Sequence, residues 1–338
     1  MERTPSSPPK IAPLKQGDRP LWSVMIPAFN CSAYIKEAIE SVLQQDCGID
    51  DMQIEVVDDC STDADIANLV NEVGGGRVGY FRQPTNVGSL RNFETCINRA
   101  RGYYIHLLHG DDRVKIGFYK TLERLLKDYR EAGAAFCAFN MIKENGQRLG
   151  SSHKEANEAG LLSNWLQRIA SEPRLQYVCM VVKREVYEKL GSFYLVHYGE
   201  DWEMWTRIAK HYPVAYTPEA LSEYRIQYNS ITSNSFLTGQ NVRDMAKVIE
   251  KNVAHLPESD KGRIRKKAQK YYARDAIKKT ASLWFRTRNK KAVNAQIRES
   301  LSMYSDAPLI GKAMALKVLM LFPFSWLPRI RKIIKGGS

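Results

Sequence analysis

The chain has 338 residues, 44% of them hydrophobic and 26% charged, an ordinary globular balance with material for one large domain or two smaller ones. Its six cysteines (Cys31, Cys47, Cys60, Cys96, Cys137, Cys179) form no CxxC pair and no metal-ligand spacing, which excludes a cysteine metal centre and reads as reduced packing thiols of a cytosolic protein. The net charge of +13 is uneven: residues 261–338 hold 20 Lys and Arg against three acids, so the rest of the chain is mildly acidic and its end strongly basic.

Residues 1–20 are rich in Pro, Ser and Lys and lack the apolar run of a secretory signal, so a flexible tail is expected there. Residues 22–26 (WSVMI) are a compact β-favouring run that Pro27 is expected to close. Ser32 is the expected N-cap of a helix over 33–45, where Ile35, Ala38, Ile39, Val42 and Leu43 recur at helical spacing. A second strand over 53–57 runs into Asp58-Asp59-Cys60-Ser61-Thr62-Asp63, and a helix is expected from Asp63 to about Val73. A third strand over 77–81 leads through NVGSLRN (86–92) into a helix ending near Arg101. A fourth, over 103–108, is apolar and stops at His109-Gly110-Asp111-Asp112.

Strand and helix therefore alternate four times before residue 130, which predicts right-handed βαβ crossovers and a mostly parallel sheet. Ligands of such sheets bind beyond the carboxyl ends of the strands. There the sequence gathers Phe29-Asn30, Asp58-Asp59, Asn86 to Asn92 and Asp111-Asp112. Two adjacent carboxylates beyond a buried strand are costly unless something positive meets them. A hard divalent cation carrying a phosphorylated substrate is such a partner. The competing reading has Asp111 and Asp112 capping a helix over 115–129. No GxGxxG follows the first strand and no GxxxxGK[ST] occurs, which argues against a nicotinamide dehydrogenase and a P-loop phosphotransferase.

Further along, a strand is expected over 134–139, a polar loop over 144–159 with a hairpin near Asn145-Gly146, and a helix over 161–170. Residues 177–182 (YVCMVV) read as a buried strand, and 184–190 as a helix that Gly191 stops. Glu200 and Asp201 then open another helix. Acids there complement the helix dipole, and Trp202 beside them offers a flat apolar surface for stacking on a ligand ring. A short β run over 221–226 leads to Gln227, and helical periodicity follows to the end.

Together, SVMIPAFN, VVDDCSTD, NVGSLRN, YIHLLHGDD and YGEDWEMW resemble, in this order and spacing, a family-2 glycosyltransferase with the GT-A fold. The resemblance covers about residues 21–235. It implies an α/β domain with a Rossmann-like, mostly parallel sheet flanked by helices. It also implies transfer of a sugar from a nucleotide-sugar donor of UDP or dTDP type, with Mg²⁺ or Mn²⁺ and inversion at the anomeric carbon. Pro27, Phe29 and Asn30 would line the nucleoside pocket. Asp59, with Asp58 as a second candidate, would bond the base or ribose, and Arg91 with Asn86 near it would face the nucleotide. Asp111 and Asp112 would hold the metal, and Asp201 or its neighbour Glu200 would be the catalytic base. The chain departs from the family pattern twice. His109 stands where the metal motif usually has Asp; imidazole suits Mn²⁺ better than Mg²⁺, and a structural or substrate-facing role is favoured for it. Gln227 stands where many relatives have a histidine soon after Tyr-Arg.

Residues 236–338 lie outside the resemblance and read as a basic helical region. Residues 309–326 (LIGKAMALKVLMLFPFSW) are apolar but interrupted by Lys312, Lys317 and Pro323. That suits a helix lying in a bilayer interface better than one spanning it. An anionic membrane surface is therefore the expected partner of this end, and nucleic acid is disfavoured for want of a binding motif. The leading reading is an enzyme at the cytoplasmic face of the cell membrane, acting on a glycan or lipid-linked acceptor in cell-surface polysaccharide synthesis. The alternatives are a sugar-nucleotide nucleotidyltransferase, and a non-catalytic nucleotide-sugar or nucleic-acid binding protein.

Overall fold

The computed structural model describes residues 2–14, 17–227 and 232–321. β1 (Trp22–Ala28) is buried along its whole length, as a strand with apolar side chains on both faces must be. It is flanked in parallel by β2 (Met52–Asp58) and β4 (Tyr104–Leu107), with β3 (Gly79–Arg82) parallel outside β2. The helices α1 (Ser32–Leu43), α2 (Ile66–Gly74) and α3 (Ser89–Arg99) supply the expected crossovers. Beyond β4 lie β9 (Met180–Lys183), antiparallel to both its neighbours, then β6 (Ala134–Ile142) and β10 (Val214–Arg225), which run parallel to each other. The short β5 (Arg113–Val114) closes that edge antiparallel to β10. A hairpin with Gly146 in its turn joins β6 to β7 (Arg148–Ser151), as expected, and β8 (Gly160–Leu161) pairs with β10.

Several expectations shift. The first strand continues through Pro27 to Ala28. The Pro27 carbonyl accepts from Gly110 N (3.3 Å), so its missing N–H faces the side on which β4 has already ended. The N-cap of α1 is Cys31 rather than Ser32, and the exposed Ser32 N–H is met instead by Asp63 Oδ2 (2.9 Å) from across the site. Residues 177–179 form a 3-10 turn before β9 instead of strand. Helix α4 (Phe118–Asp128) starts after Gly117, with no side-chain cap and with β5 in between, so Asp111 and Asp112 are not its caps.

Residues 2–14, expected to be a flexible tail, pack on the body: Ile11 is 3% exposed and belongs to the main core. Its burial and the main-chain bonds described below hold the segment. The helices α5 (Trp165–Ser171), α6 (Arg184–Leu190) and α7 (Glu200–His211) complete the α/β body. Then come α8 (Thr232–Thr238), α9 (Gln240–Ala254), α10 (Glu258–Thr287), α11 (Lys290–Met303) and α12 (Ala307–Leu319). Met245 and Val248 of α9, with Ile264 and Tyr272 of α10, share the main core. The second half of α10 forms a smaller core with α11 and α12, around Trp284, Val293, Leu309 and Leu316. The helical end is thus continuous with the body at its near half. Residues 322–338, which carry the rest of the expected interfacial segment, lie outside the described residues.

Candidate active site

The parallel register of β1, β2 and β4 brings their carboxyl ends to one edge, and the loops that follow knit together there. Asn30 N donates to Ser61 Oγ (3.0 Å) and Asn30 Oδ1 accepts from Thr62 N (2.8 Å). Pro27 is buried, Phe29 half-buried and Asn30 exposed. Asp58 is fully buried and saturated. Its Oδ1 accepts from Ser61 N (2.9 Å) and Oγ (2.5 Å), and its Oδ2 from Tyr80 hydroxyl (2.9 Å) and from Arg82. This corrects its candidacy for the base or ribose: Asp58 has no lone pair left and shapes the turn. Asp59 pins the next loop, its Oδ1 accepting from Val87 N (2.7 Å) and its Oδ2 from Asn86 Nδ2 (2.9 Å) and Gly88 N (2.9 Å). Arg91 sits beside this loop, where its Nη1 meets Glu94 (2.7 Å) and its Nε donates to Glu2 O (2.8 Å).

Beyond β4, Gly110 turns the chain against β1. A Cβ there would sit 2.6 Å from Cys31 Sγ, so a larger residue would force the Cys31 side chain to shift. Asp112 is buried, and its Oδ1 accepts from Arg225 N (2.8 Å); half-buried Asp111 accepts from Gln227 Nε2 (2.7 Å). Gln227 thus does reach this pair. The Arg225 guanidinium, itself buried, holds the turn by donating to the carbonyls of Asp111 (2.8 Å) and Glu144 (2.7 Å) and to Glu37 (2.8 Å). Burial and mutual repulsion push the Asp112 carboxyl well above the usual carboxylate range, and burial raises Asp111 too. His109 stacks on Phe93 (5.2 Å between ring centres) and packs at a tilt against Tyr177 (4.4 Å). Burial takes its pKa down to about 4, which leaves a neutral imidazole, and its Nε2 is a buried nitrogen without a partner among the described residues.

The ligand-capable atoms of His109, Asp111 and Asp112 all lie within 4.8 Å of one another. Two carboxylates and a neutral imidazole whose buried Nε2 lacks a partner among the described residues form a donor set that fits a divalent cation.

Glu200 and Asp201 open α7 on the same side. Glu200 Oε1 accepts from Tyr177 hydroxyl (3.2 Å), and Asp201 Oδ1 accepts from Trp202 N (2.7 Å). Burial raises both carboxyls: Glu200 to about 8, helped by the charge of Asp201, and Asp201 to about 6. Tyr177 therefore links His109 of one acidic group to Glu200 of the other. Tyr224 feels both as well, its phenol raised by burial and by Asp112, Asp111 and Asp201. Trp202 corrects the expectation of a stacking platform. It is 1% exposed, and its indole N–H donates to Ile169 O (2.5 Å) inside the core. The residues that the sequence did not single out are Tyr177, hidden in a run that read as plain strand, and Arg225, whose signal was only the Tyr-Arg dipeptide.

Residues 23–191 match the family model for Glycosyl transferase family 2, half of the chain. A Campylobacter jejuni protein named GalNAc(5)-diNAcBac-PP-undecaprenol beta-1,3-glucosyltransferase is 25% identical over 93% of this chain and 97% of its own. The putative teichuronic acid biosynthesis glycosyltransferase TuaG of Bacillus subtilis is 27% identical over 64% of this chain and 84% of its own. Among solved structures, S. aureus TarS residues 1–349 in complex with UDP-GlcNAc superposes with a TM-score of 0.63 at 16% identity, covering 88% of each chain. The likeness to TarS establishes the GT-A fold.

Proposed function

Because this chain belongs to glycosyltransferase family 2, we propose that it moves a sugar from a nucleoside-diphosphate donor to a hydroxyl of a glycan or lipid-linked acceptor, with inversion at the anomeric carbon. The observation that carries the proposal is the juxtaposition of two acidic groups around Tyr177 and Tyr224, one suited to a cation and the other unevenly protonated. The likeness to a glucosyltransferase named for a PP-undecaprenol-linked glycan supports the acceptor class.

Asp201 is the general base in this reading. With its carboxyl near 6 it is ionised at neutral pH, while Glu200 near 8 keeps its proton. The Trp202 N–H fixes one oxygen of Asp201 and leaves the other to take the proton of the attacking hydroxyl. Single displacement needs only this base opposite the leaving group; retention by double displacement would need a further carboxylate as nucleophile. Asp111 and Asp112, with His109 in reach, would hold Mg²⁺ or Mn²⁺, which when bound neutralises charge on the departing diphosphate. Arg225 keeps both aspartates in place. Pro27, Phe29, Asn30, Asp59, Asn86 and Arg91 form the nucleoside side.

The same reading puts the enzyme on a membrane surface. No helix among the described residues is long and apolar enough to cross a membrane. Helix α12 buries Leu309, Ala313 and Leu316, yet leaves Ile310, Met314 (61% exposed), Val318 and the following Leu321 (77% exposed) in a stripe on its outer face. Lys312 and Lys317 are exposed on the same helix, the pattern of an interfacial element. The central test is a screen of UDP-, dTDP- and GDP-sugars for divalent-metal-dependent hydrolysis and thermal stabilisation. Absence of both effects for every donor, with Mg²⁺ and with Mn²⁺, would refute the enzyme's proposed chemistry.

A further inference from the structure

The N-terminal segment, outside the residues that match the family model, runs along the body and ends between two loops of the site. One side of it braces the loop over residues 191–199, which leads directly into Glu200-Asp201. Ser192 N donates to Pro9 O (2.8 Å), Leu195 N donates to Pro5 O (2.9 Å), and the Thr4 hydroxyl bonds His197 Nε2. Further back, Arg184 Nη2 donates to Ala12 O (2.9 Å), and buried Ile11 anchors the strap in the core. The tip meets the opposite loop, after β3. Arg91 Nε donates to Glu2 O, and Arg3 donates to both the side-chain and main-chain oxygens of Asn86, the latter at 3.5 Å.

The loop is shaped for this approach. Gly88 has φ +90°, a conformation that disfavours side chains, and a Cβ there would lie 3.1 Å from Arg3 Nε. The Asn86 amide is gripped from two sides, donating to Asp59 and accepting from Arg3. Arg3 therefore stands where the nucleoside-side loop and the loop before α7 come closest to the same strap.

Charge gives the position its meaning. The site gathers the carboxyl groups of Asp59, Asp111, Asp112 and Asp201, and a nucleoside diphosphate brings further negative charge on both phosphates. Of the other guanidinium groups nearby, Arg82 pairs with Asp58, Arg91 with Glu94, and Arg225 with Glu37 and carbonyls. Arg3 is exposed, and among the described residues it has no ion pair. A guanidinium has five N–H donors in a rigid fork, matched to phosphate and to carbonyl acceptors.

We propose that Arg3, delivered by the N-terminal strap and held on Asn86, is a nucleotide-binding residue of the donor site. The inference rests on the donor reading above. It assigns to a segment beyond the family's matched region a direct part in donor affinity.

The test is calorimetric titration of the full chain with UDP, dTDP and GDP in the presence of Mn²⁺, comparing the unaltered protein with Arg3→Ala and Arg3→Lys. Loss of one charge-assisted contact should weaken the nucleotide that binds roughly ten- to a hundredfold in Arg3→Ala. Arg3→Lys should fall in between, because it keeps the charge and loses the fork. With the cognate nucleotide-sugar, KM should rise while kcat and Tm stay close to those of the unaltered chain. Unchanged affinity in Arg3→Ala overturns the proposal. Tighter binding overturns it too, and makes Arg3 an obstruction instead. If the unaltered chain binds none of the three nucleotides, the donor reading and this one fall together.

Discussion

Replacing Asp201 by Asn tests the proposed chemistry most directly, because it removes a proton acceptor and little else. Asn keeps an oxygen for the Trp202 N–H and occupies nearly the same volume. The expected loss is about 10² to 10⁴ in kcat, the usual contribution of a positioned base. Nucleotide affinity, measured by calorimetry, should stay within about twofold. The unaltered enzyme carries a second signature. A base whose carboxyl is held near 6 is about nine-tenths ionised at pH 7 and about one-tenth at pH 5. The rate should therefore fall roughly tenfold between those values, with unit slope at the acid end. In Asp201→Asn that limb should disappear from the residual rate. A variant that turns over within about threefold of the unaltered enzyme would refute the assignment, and equal loss in Glu200→Gln alone would move the role to Glu200.

Asp112→Ala should abolish the tightening of UDP binding that Mn²⁺ confers; equal affinity of the unaltered chain with Mn²⁺ and with a chelator would sink the cation site. Glu200→Gln should raise Tm on the order of 10 °C at pH 8 and leave it unchanged at pH 4. The sign follows from its raised carboxyl. The unfolded chain ionises first as pH rises above about 4, so folding loses stability up to about 8, and Gln escapes that loss. A Tm difference that persists at pH 4 would point to packing instead. Arg225→Met should destabilise the chain by about 1–3 kcal/mol in denaturant titrations, because it leaves the carbonyls of Asp111 and Glu144 without their donor, while Arg113 still holds Glu37. Arg225→Lys should not restore it, since one ammonium cannot span the same acceptors. In liposome flotation, the full chain should rise with anionic vesicles and a chain cut near residue 305 should not; equal flotation removes the membrane reading.

The alternation of strand and helix, and the polar clusters at successive strand ends, were legible in the sequence because both follow from local periodicity and turn chemistry. Parallel pairing then required Asn30, Asp59 and Asp111 to share an edge, and the register of β1, β2 and β4 puts them there. The sequence also carried the acidic pair at Glu200-Asp201 as a helix opening. It could not say how those carboxylates would be used, because protonation depends on burial and on neighbours far along the chain. Tertiary contacts alone spend Asp58 on Tyr80 and Arg82, sink Trp202 into the core, and set Tyr177 between His109 and Glu200. The same holds for the polar, proline-rich start of the chain. Its composition reads as tail, since a segment without secondary structure leaves no periodicity to read. Only the partners it meets, from Asn86 to Leu195, hold it against the loops on either side.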